Sequence, residues 1–342
     1  MSEHPDTVER LEARLSQPSA RLIADMQRVE GDIMLLGAGG KMGPTLAMLA
    51  RNALDAAGSS SAVIAVSRFS DAAVERRLTD AGVKTVSADL LDDEQLRALP
   101  RAANVIHMAA MKFGATGQEP RTWAMNTYLP GRVAERFKDS RIVAFSTGNV
   151  YPLTPLAAGA PSEDDPTGPI GEYAQSCLGR ERIFQHFSEV HGTPVALLRL
   201  NYAIELRYGV LVDIALAVHE QRPLDLSMGH VNVIWQGDAN EIALRALLHC
   251  STPPTVLNVT GPETASVRSL AVRLGKRMGV EPRFVGEEAS SALLNDASRS
   301  HALFGYPSVP LDTLLDWVAA WVAAGGETSG KPTKFQVRTG AF

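Results

Sequence analysis

The run Asp32-Ile33-Met34-Leu35-Leu36-Gly37 constrains this chain most, because an apolar strand there runs straight into glycines at 37, 40 and 43. A helical pattern from Pro44 to Leu54 follows at once. Glycine at 37 permits a tight turn, and glycine at 40 lets a ligand approach backbone N–H groups. Glycine at 43 allows the helix to pack close on the sheet. Gly39, Lys41 and Met42 belong to the same turn and share its candidacy for phosphate binding. The helix N-terminus adds partial positive charge suited to phosphates. Strand, turn and helix together are the context a pyrophosphate cradle requires, so the segment predicts dinucleotide binding.

The rest of the chain fits one enzyme-sized body. Its 342 residues are enough for a large core plus a smaller lobe. A net charge of −5 argues against nucleic acid or an anionic membrane as the main partner. The two cysteines, Cys177 and Cys250, have no metal-binding or redox spacing. That usage predicts no metal and fits a reducing cytoplasm. Residues 1–30 read as an amphipathic helical arm, with Leu11, Leu15, Leu22, Ile23 and Met26 as its apolar members. Neither a signal-peptide core nor a bilayer-length apolar run is visible, so no membrane association is expected.

Strand-like and helical patterns then alternate with short connections. Strands are expected at 61–67, 83–86, 104–107, 141–146 and 194–198, and helices at 71–81, 92–99, 121–137 and 171–191; beyond Leu200 the pattern loosens, with strands expected at 231–235 and 256–259 and helices at 238–249, 267–278 and 311–324. This alternation implies an α/β fold, a doubly wound parallel sheet of Rossmann type. The dinucleotide-binding domain is expected over 31–200, with 231–250 returning to it. A smaller α/β substrate lobe is expected from 201–230 and 251–325. The segment 326–342 reads as a polar tail wrapping the surface, and 152–169 as a surface loop.

Open α/β sheets bind ligands at the C-terminal ends of their strands, and the chemically interesting residues fall there. The second strand ends at Ser67-Arg68. An acid at that point would hold adenosine ribose hydroxyls; serine removes it, and Arg68 offers a planar cation suited to a 2′-phosphate. NADP is therefore expected over NAD. Asp89-Leu90 follows the third strand, with the acid placed to accept from an adenine amino group. After the fourth come His107, Met108, Ala109, Ala110 and Lys112. Small residues at 109 and 110 let backbone pass close to a cofactor, and Lys112 reaches a ribose or phosphate. His107 reads as a packed strand-end histidine. Asn126 lies in the next helix, suited to capping an irregularity or ordering a water. Thr147, closing the fifth strand, offers a hydroxyl to a substrate oxygen, and Tyr173 near the start of the long helix is a proton donor or acceptor beside a nicotinamide.

This ordered set resembles the extended short-chain dehydrogenase/reductase family, the NAD-dependent epimerase/dehydratase group. The resemblance rests on Gly37-x-x-Gly40-x-x-Gly43, Asp89-Leu90, His107-x-Ala109-Ala110, Lys112, Asn126, Ser146-Thr147-x-x-Val150-Tyr151 and Tyr173, and covers roughly Gly31 to Leu200. It implies hydride transfer between a nicotinamide cofactor and a hydroxyl or keto carbon of a small, sugar-like substrate. Thr147 would polarise the substrate oxygen and Tyr173 would act as acid or base. A homodimer through the helices 121–137 and 171–191 is also implied.

One departure bears on the chemistry. The family signature is Tyr-x-x-x-Lys, and Cys177 stands where the lysine belongs. An unperturbed tyrosine titrates near ~10, so only about one molecule in a thousand is phenolate at neutral pH. A mostly neutral thiol does not replace an ammonium. Either another cation serves (Arg180, seven residues on and so on nearly the same helix face, or Lys112) or Tyr173 works slowly, or only as a donor in the reducing direction. Alternatively the protein is a dinucleotide-binding sensor or regulator without hydride transfer. A second departure is Leu198-Arg199-Leu200-Asn201, with Tyr208-Gly209 later, in place of Arg-x-x-Asn and a Tyr-Gly-Pro turn. It leaves Arg207, Tyr208 and His230 as candidate lobe residues around the substrate.

Overall fold

The computed structural model describes residues 4–112, 114 and 116–341. Seven parallel strands form the main sheet. In chain order they are β1 (Ile33–Leu36), β2 (Val63–Ser67), β3 (Lys84–Ser87), β4 (Asn104–His107), β5 (Arg141–Thr147), a sixth at Val195–Leu200 and a seventh at Thr255–Val259. Counted in that order, they lie side by side as 3-2-1-4-5-6-7. The order reverses between β1 and β4, which opens a crevice at their C-terminal ends.

Every β1 residue is buried because both sheet faces are covered. Ile33 and Leu35 pack with Leu46 and Leu49 of the helix Gly43–Ala56. Met34 and Leu36 pack on the opposite side with Leu129, Val133 and Phe184. A third core fills the lobe, where the helices Val210–His219, Val267–Met278 and Leu311–Ala323 surround the edge-to-face pair Trp235–Trp317.

The N-terminal arm is two short helices. Thr7 caps Val8–Leu15 by accepting from the Arg10 N–H at 3.2 Å, and Ser19 caps Ala20–Met26 by accepting from Leu22 N–H at 3.1 Å. Leu11 and Leu15 enter the lobe core while Leu22 and Met26 enter the sheet core, so the arm joins the two.

Three expectations change. The strand Thr255–Val259, read as part of the lobe, hydrogen-bonds to Val195–Leu200 and extends the main sheet. The strand-like 231–235 divides into two bridges with different partners: His230–Val231 pairs with Ala265–Ser266, and Ile234–Trp235 with Ala203–Ile204. The tail is more than a surface wrap, because Phe335 is only 3% exposed inside the lobe core. Burying a side chain of that size contributes roughly 1.5–3 kcal/mol. Among the described residues no helix is long and apolar enough to cross a membrane.

Candidate active site

The turn after β1 is built as the glycine spacing implies. Gly37 has φ +93°, and a Cβ there would lie 2.7 Å from the backbone of Ala109. A Cβ at Gly43 would run into the Ala38 backbone. Gly40 differs: its φ is ordinary and a Cβ would meet only the Gly37 carbonyl oxygen, at 3.5 Å. The protein itself does not require glycine at 40, so the space saved there faces outward, where a diphosphate would lie. The following helix begins with Met42 at its cap position and no side-chain cap, leaving its first N–H groups for a ligand.

A cleft of about 410 Å³ opens from this turn along the ends of β1 to β4. It gathers Gly37, Gly39 and Gly40 with Ser67, Arg68, Asp89, Leu90, Met108, Ala109 and Ala110. Lys41, Met42, Gly43, Lys112 and Asn126 do not line it. Ser67 and Gly39 approach so closely that a Cβ on Gly39 would overlap the serine hydroxyl. Asp89 commits one carboxylate oxygen to the Leu91 N–H, at 3.0 Å. Phe69, Asp71 and Arg121 also line the cleft and were not singled out by sequence; Phe69 holds φ +45°, a strained value for a non-glycine residue.

Asn126 sits inside a π-helical turn, Ala124–Tyr128, which interrupts the helical run from Glu119 to Arg136. The wider turn aims its amide at the loop after β4. Asn126 accepts from the Met111 N–H at 2.8 Å and donates to the Met111 carbonyl at 2.9 Å and to Ser176 Oγ at 3.0 Å. The loop carrying Met108 to Lys112 is thereby fixed from both sides of one residue.

The Gly171–His191 helix brings Tyr173 and Cys177 against the end of β5. Thr147 and Cys177 are the polar neighbours that act on the Tyr173 phenol, and the Thr147 hydroxyl itself donates to Asn149 Oδ1 at 2.9 Å. Burial pushes the Tyr173 phenol well above its usual range; Cys177 adds to this, while Arg180 and Thr147 oppose it. Burial likewise raises Cys177. Lys112 places its ammonium 5.7 Å from the Tyr173 ring centre, and burial pushes its pKa down to about 8. Arg180 lies close enough to act through its charge, but its guanidinium is committed elsewhere. It donates to the Phe145 carbonyl at 2.6 Å, to Asn126 Oδ1 at 3.0 Å and to the Asn126 carbonyl at 3.3 Å. His107 is fully buried edge-on to Phe184 and is pushed down to about 3 by burial and Arg180, so it is a neutral packing residue.

Behind this group lies a buried pair that sequence did not single out. Arg199 donates to Glu181 at 2.8 and 3.1 Å and to the Tyr151 hydroxyl at 2.7 Å, while Ser146 donates to Glu181 at 2.6 Å. Ser146 and Thr147 are neighbours, so the pair anchors the strand end that presents Thr147.

Lys41 turns from the glycine loop toward the segment after the sixth strand. It donates to the Ala203 carbonyl at 3.2 Å and stands 4.0 Å over the Tyr208 ring. Although the residue is solvent-exposed, desolvation of the ammonium lowers its pKa, with Arg207 and Lys112 acting in the same sense and Glu205 and Asp213 against it. Arg207 is tied to Glu12 and Glu205, and His230 pairs through its backbone with Ser266.

Comparison with known proteins places this geometry among relatives. Residues 33–204 match the family model described as NAD dependent epimerase/dehydratase family. No curated protein sequence matches the chain. Among solved structures, it is similar to UDP-glucose 4-epimerase from Thermotoga maritima (17% identity, TM-score 0.70), with 86% of this chain and 99% of that one covered. A UDP-glucuronic acid 4-epimerase from Bacillus cereus in complex with NAD gives 20% identity and TM-score 0.70, with the same coverage. Epimerase Mth375 from Methanothermobacter thermautotrophicus gives 18% and 0.71, covering 90% of this chain and 96% of that one. At these identities the structural likeness speaks to the fold.

Proposed function

The chain belongs to the NAD dependent epimerase/dehydratase family, hence to a family of NAD-dependent enzymes, and from that premise we propose that it transfers a hydride to or from the carbinol carbon of a sugar or sugar-derived substrate. The observation that carries this reading is the buried Tyr173 phenol placed beside Thr147, next to the loop that the glycine turn and Asn126 hold in place. When bound, the nicotinamide supplies the hydride or accepts it. Gly37, Gly40 and Gly43 would admit the diphosphate to the helix N-terminus, and Asp89 would face the adenine. Thr147 steadies the substrate oxygen and Tyr173 moves its proton. Burial keeps the phenol protonated, so donation to a carbonyl oxygen, the reducing direction, is the easier step. Lys112 takes the place of the missing lysine as the nearby positive charge: its ammonium faces the Tyr173 ring, whereas Arg180 spends its donors on Asn126 and Phe145.

The cofactor we favour is NADP. Arg68 is exposed at the cleft beside Ser67, and no carboxylate occupies position 67 to repel a 2′-phosphate. Losing one charge-assisted bond costs about 1.5–3 kcal/mol. Arg68→Ala is therefore expected to weaken NADPH binding by roughly 10- to 100-fold while NADH stays within about threefold. Calorimetry with both coenzymes reads this directly, and equal effects on the two would remove the preference. If neither coenzyme binds the wild-type chain, the functional reading itself is lost.

A homodimer is part of the proposal. Trp123 and Tyr128 are 36% and 59% exposed on a shallow apolar face shared with Gly131, Ile183 and Phe187, spanning the two helices expected to pair. Sedimentation at micromolar concentration should give twice the chain mass, and Tyr128→Glu should return it to monomer. A wild-type monomer rules the dimer out.

A further inference from the structure

Pro130 takes away a hydrogen bond that another element has to restore. It lies four residues after Asn126 in the helical run from Glu119 to Arg136. A proline has no N–H for the carbonyl four places back, and its ring crowds that carbonyl. The Asn126 carbonyl therefore lacks its α-helical donor, within the turn that widens to a π-helix. Arg180 donates there instead. Its Nε meets the Asn126 carbonyl at 3.3 Å, while Nη2 of the same guanidinium donates to Asn126 Oδ1 at 3.0 Å. One planar fork thus grips both the backbone and the side chain of one residue.

The Gly171–His191 helix delivers the fork because it closes tightly on the turn. A Cβ on Gly179 would lie 2.8 Å from the Thr127 hydroxyl, and that hydroxyl donates to the Ser176 carbonyl at 2.9 Å. The third arm of Arg180 reaches the sheet, where Nη1 donates to the Phe145 carbonyl at 2.6 Å. Phe145 is one residue beyond the last pair between β4 and β5, His107 with Ala144, and two before Thr147. Asn126 meanwhile uses every bond its amide has. It accepts from the Met111 N–H and Arg180, and donates to the Met111 carbonyl and Ser176. Met108 to Met111 line the cleft.

Arg180 is 3% exposed, and among the described residues it forms no ion pair. Its neighbour Glu181 is committed to Arg199 and Ser146. A guanidinium keeps its proton in a protein, so three neutral oxygens hold a full charge in the interior. An apolar side chain of similar volume would avoid that desolvation penalty. What it would not do is join three elements through one rigid group.

We infer that Arg180 is a positioning residue of the site: through Asn126 and Phe145 it holds the loop lining the cleft, the strand end presenting Thr147 and the helix carrying Tyr173 in one frame. The inference rests on the hydride-transfer reading for what the frame serves, but its test needs no turnover. Arg180→Lys keeps the charge and loses the fork, and Arg180→Met loses both. Hydrogen exchange is followed in each full-length variant, with the β1 amides 33–36 as internal reference. Relative to β1, the amides of Met111 and of the turn 124–128 should exchange at least about tenfold faster in both variants, since a charge-assisted hydrogen bond is worth that much. NADPH affinity, read by calorimetry, should fall with them. Unchanged exchange at Met111 in a variant that melts cooperatively overturns the role. An equal rise at β1 and at the loop overturns it too, because the loss is then one of global stability. Full recovery of both readings by lysine would show that charge alone suffices, and loosening without loss of NADPH affinity would show that the frame does not serve the coenzyme; either result sinks the inference. Should Arg180→Met fail to fold, Arg180→Lys, with its buried charge retained, carries the same readings. A wild-type chain that binds no NADPH, with the loop loosening as expected in the variants, counts against the functional reading alone.

Discussion

Tyr173→Phe is expected to lower turnover by about 10²- to 10⁴-fold, the usual contribution of a positioned proton donor. Cofactor affinity should change little, because the ring that packs with Val150, Tyr151 and Cys177 is retained. Thr147 stays in place to hold the substrate oxygen but has no acid to share it with. A Phe variant that keeps its rate, measured by coenzyme absorbance, would show that the proton travels by another route. Cys177→Lys sharpens the result. If the relay lacks a cation, the new ammonium should raise the rate; if Lys112 already fills the role, the rate should stay level, because a second positive charge beside Lys112 and Arg180 adds repulsion. A large gain would favour the view of a dinucleotide-binding protein whose relay had lapsed.

The largest effect on stability is expected at Glu181. Its side chain is fully buried and Arg199 is 4% exposed, so Glu181→Ala leaves a guanidinium in the interior without its counter-ion. Breaking such a pair from one side costs about 3–5 kcal/mol. Burial works against the Arg199 charge, and the Glu181 carboxylate together with Tyr151 more than offsets it. Denaturant titration should therefore show a marked fall in midpoint for Glu181→Ala. Replacing both partners by apolar residues of similar volume should restore much of the loss, since neither charge then remains buried. A change below about 1 kcal/mol in the single variant would mean that water reaches Arg199. The damage should also reach catalysis, because Ser146 loses its acceptor next to Thr147.

The sheet was legible because its strands are short apolar runs and its helices carry a 3.6-residue period, signals that survive in a single sequence. The helix at 171–191 ends at Gly192, whose φ of +70° favours a residue without a Cβ, and this boundary is local chemistry. The lobe was harder to read. Its strands are two residues long, too short to show alternation, so His230–Val231 and Ile234–Trp235 merged into one apparent strand. Thr255–Val259 looked like any other strand, and only its pairing with Val195–Leu200 assigns it to the main sheet. Among candidate site residues, the glycine turn was visible since backbone conformation demands it. The commitment of Arg180 to Asn126 was not, since helical spacing gives a face and not a partner. Lys41 reaches Ala203 across 162 positions of sequence, and no local pattern announces such a contact.

The π-helical turn at Ala124–Tyr128 also sets a phase. Deleting one residue there would allow ordinary thirteen-atom rings, but it would rotate everything downstream by about 100°. Leu129, Val133 and Phe137 would swing away from the sheet they now cover, or else Asn126 would swing away from Met111. Core and the loop after β4 are therefore geared together through five residues, and an indel in that turn cannot be absorbed on one side without slipping the other.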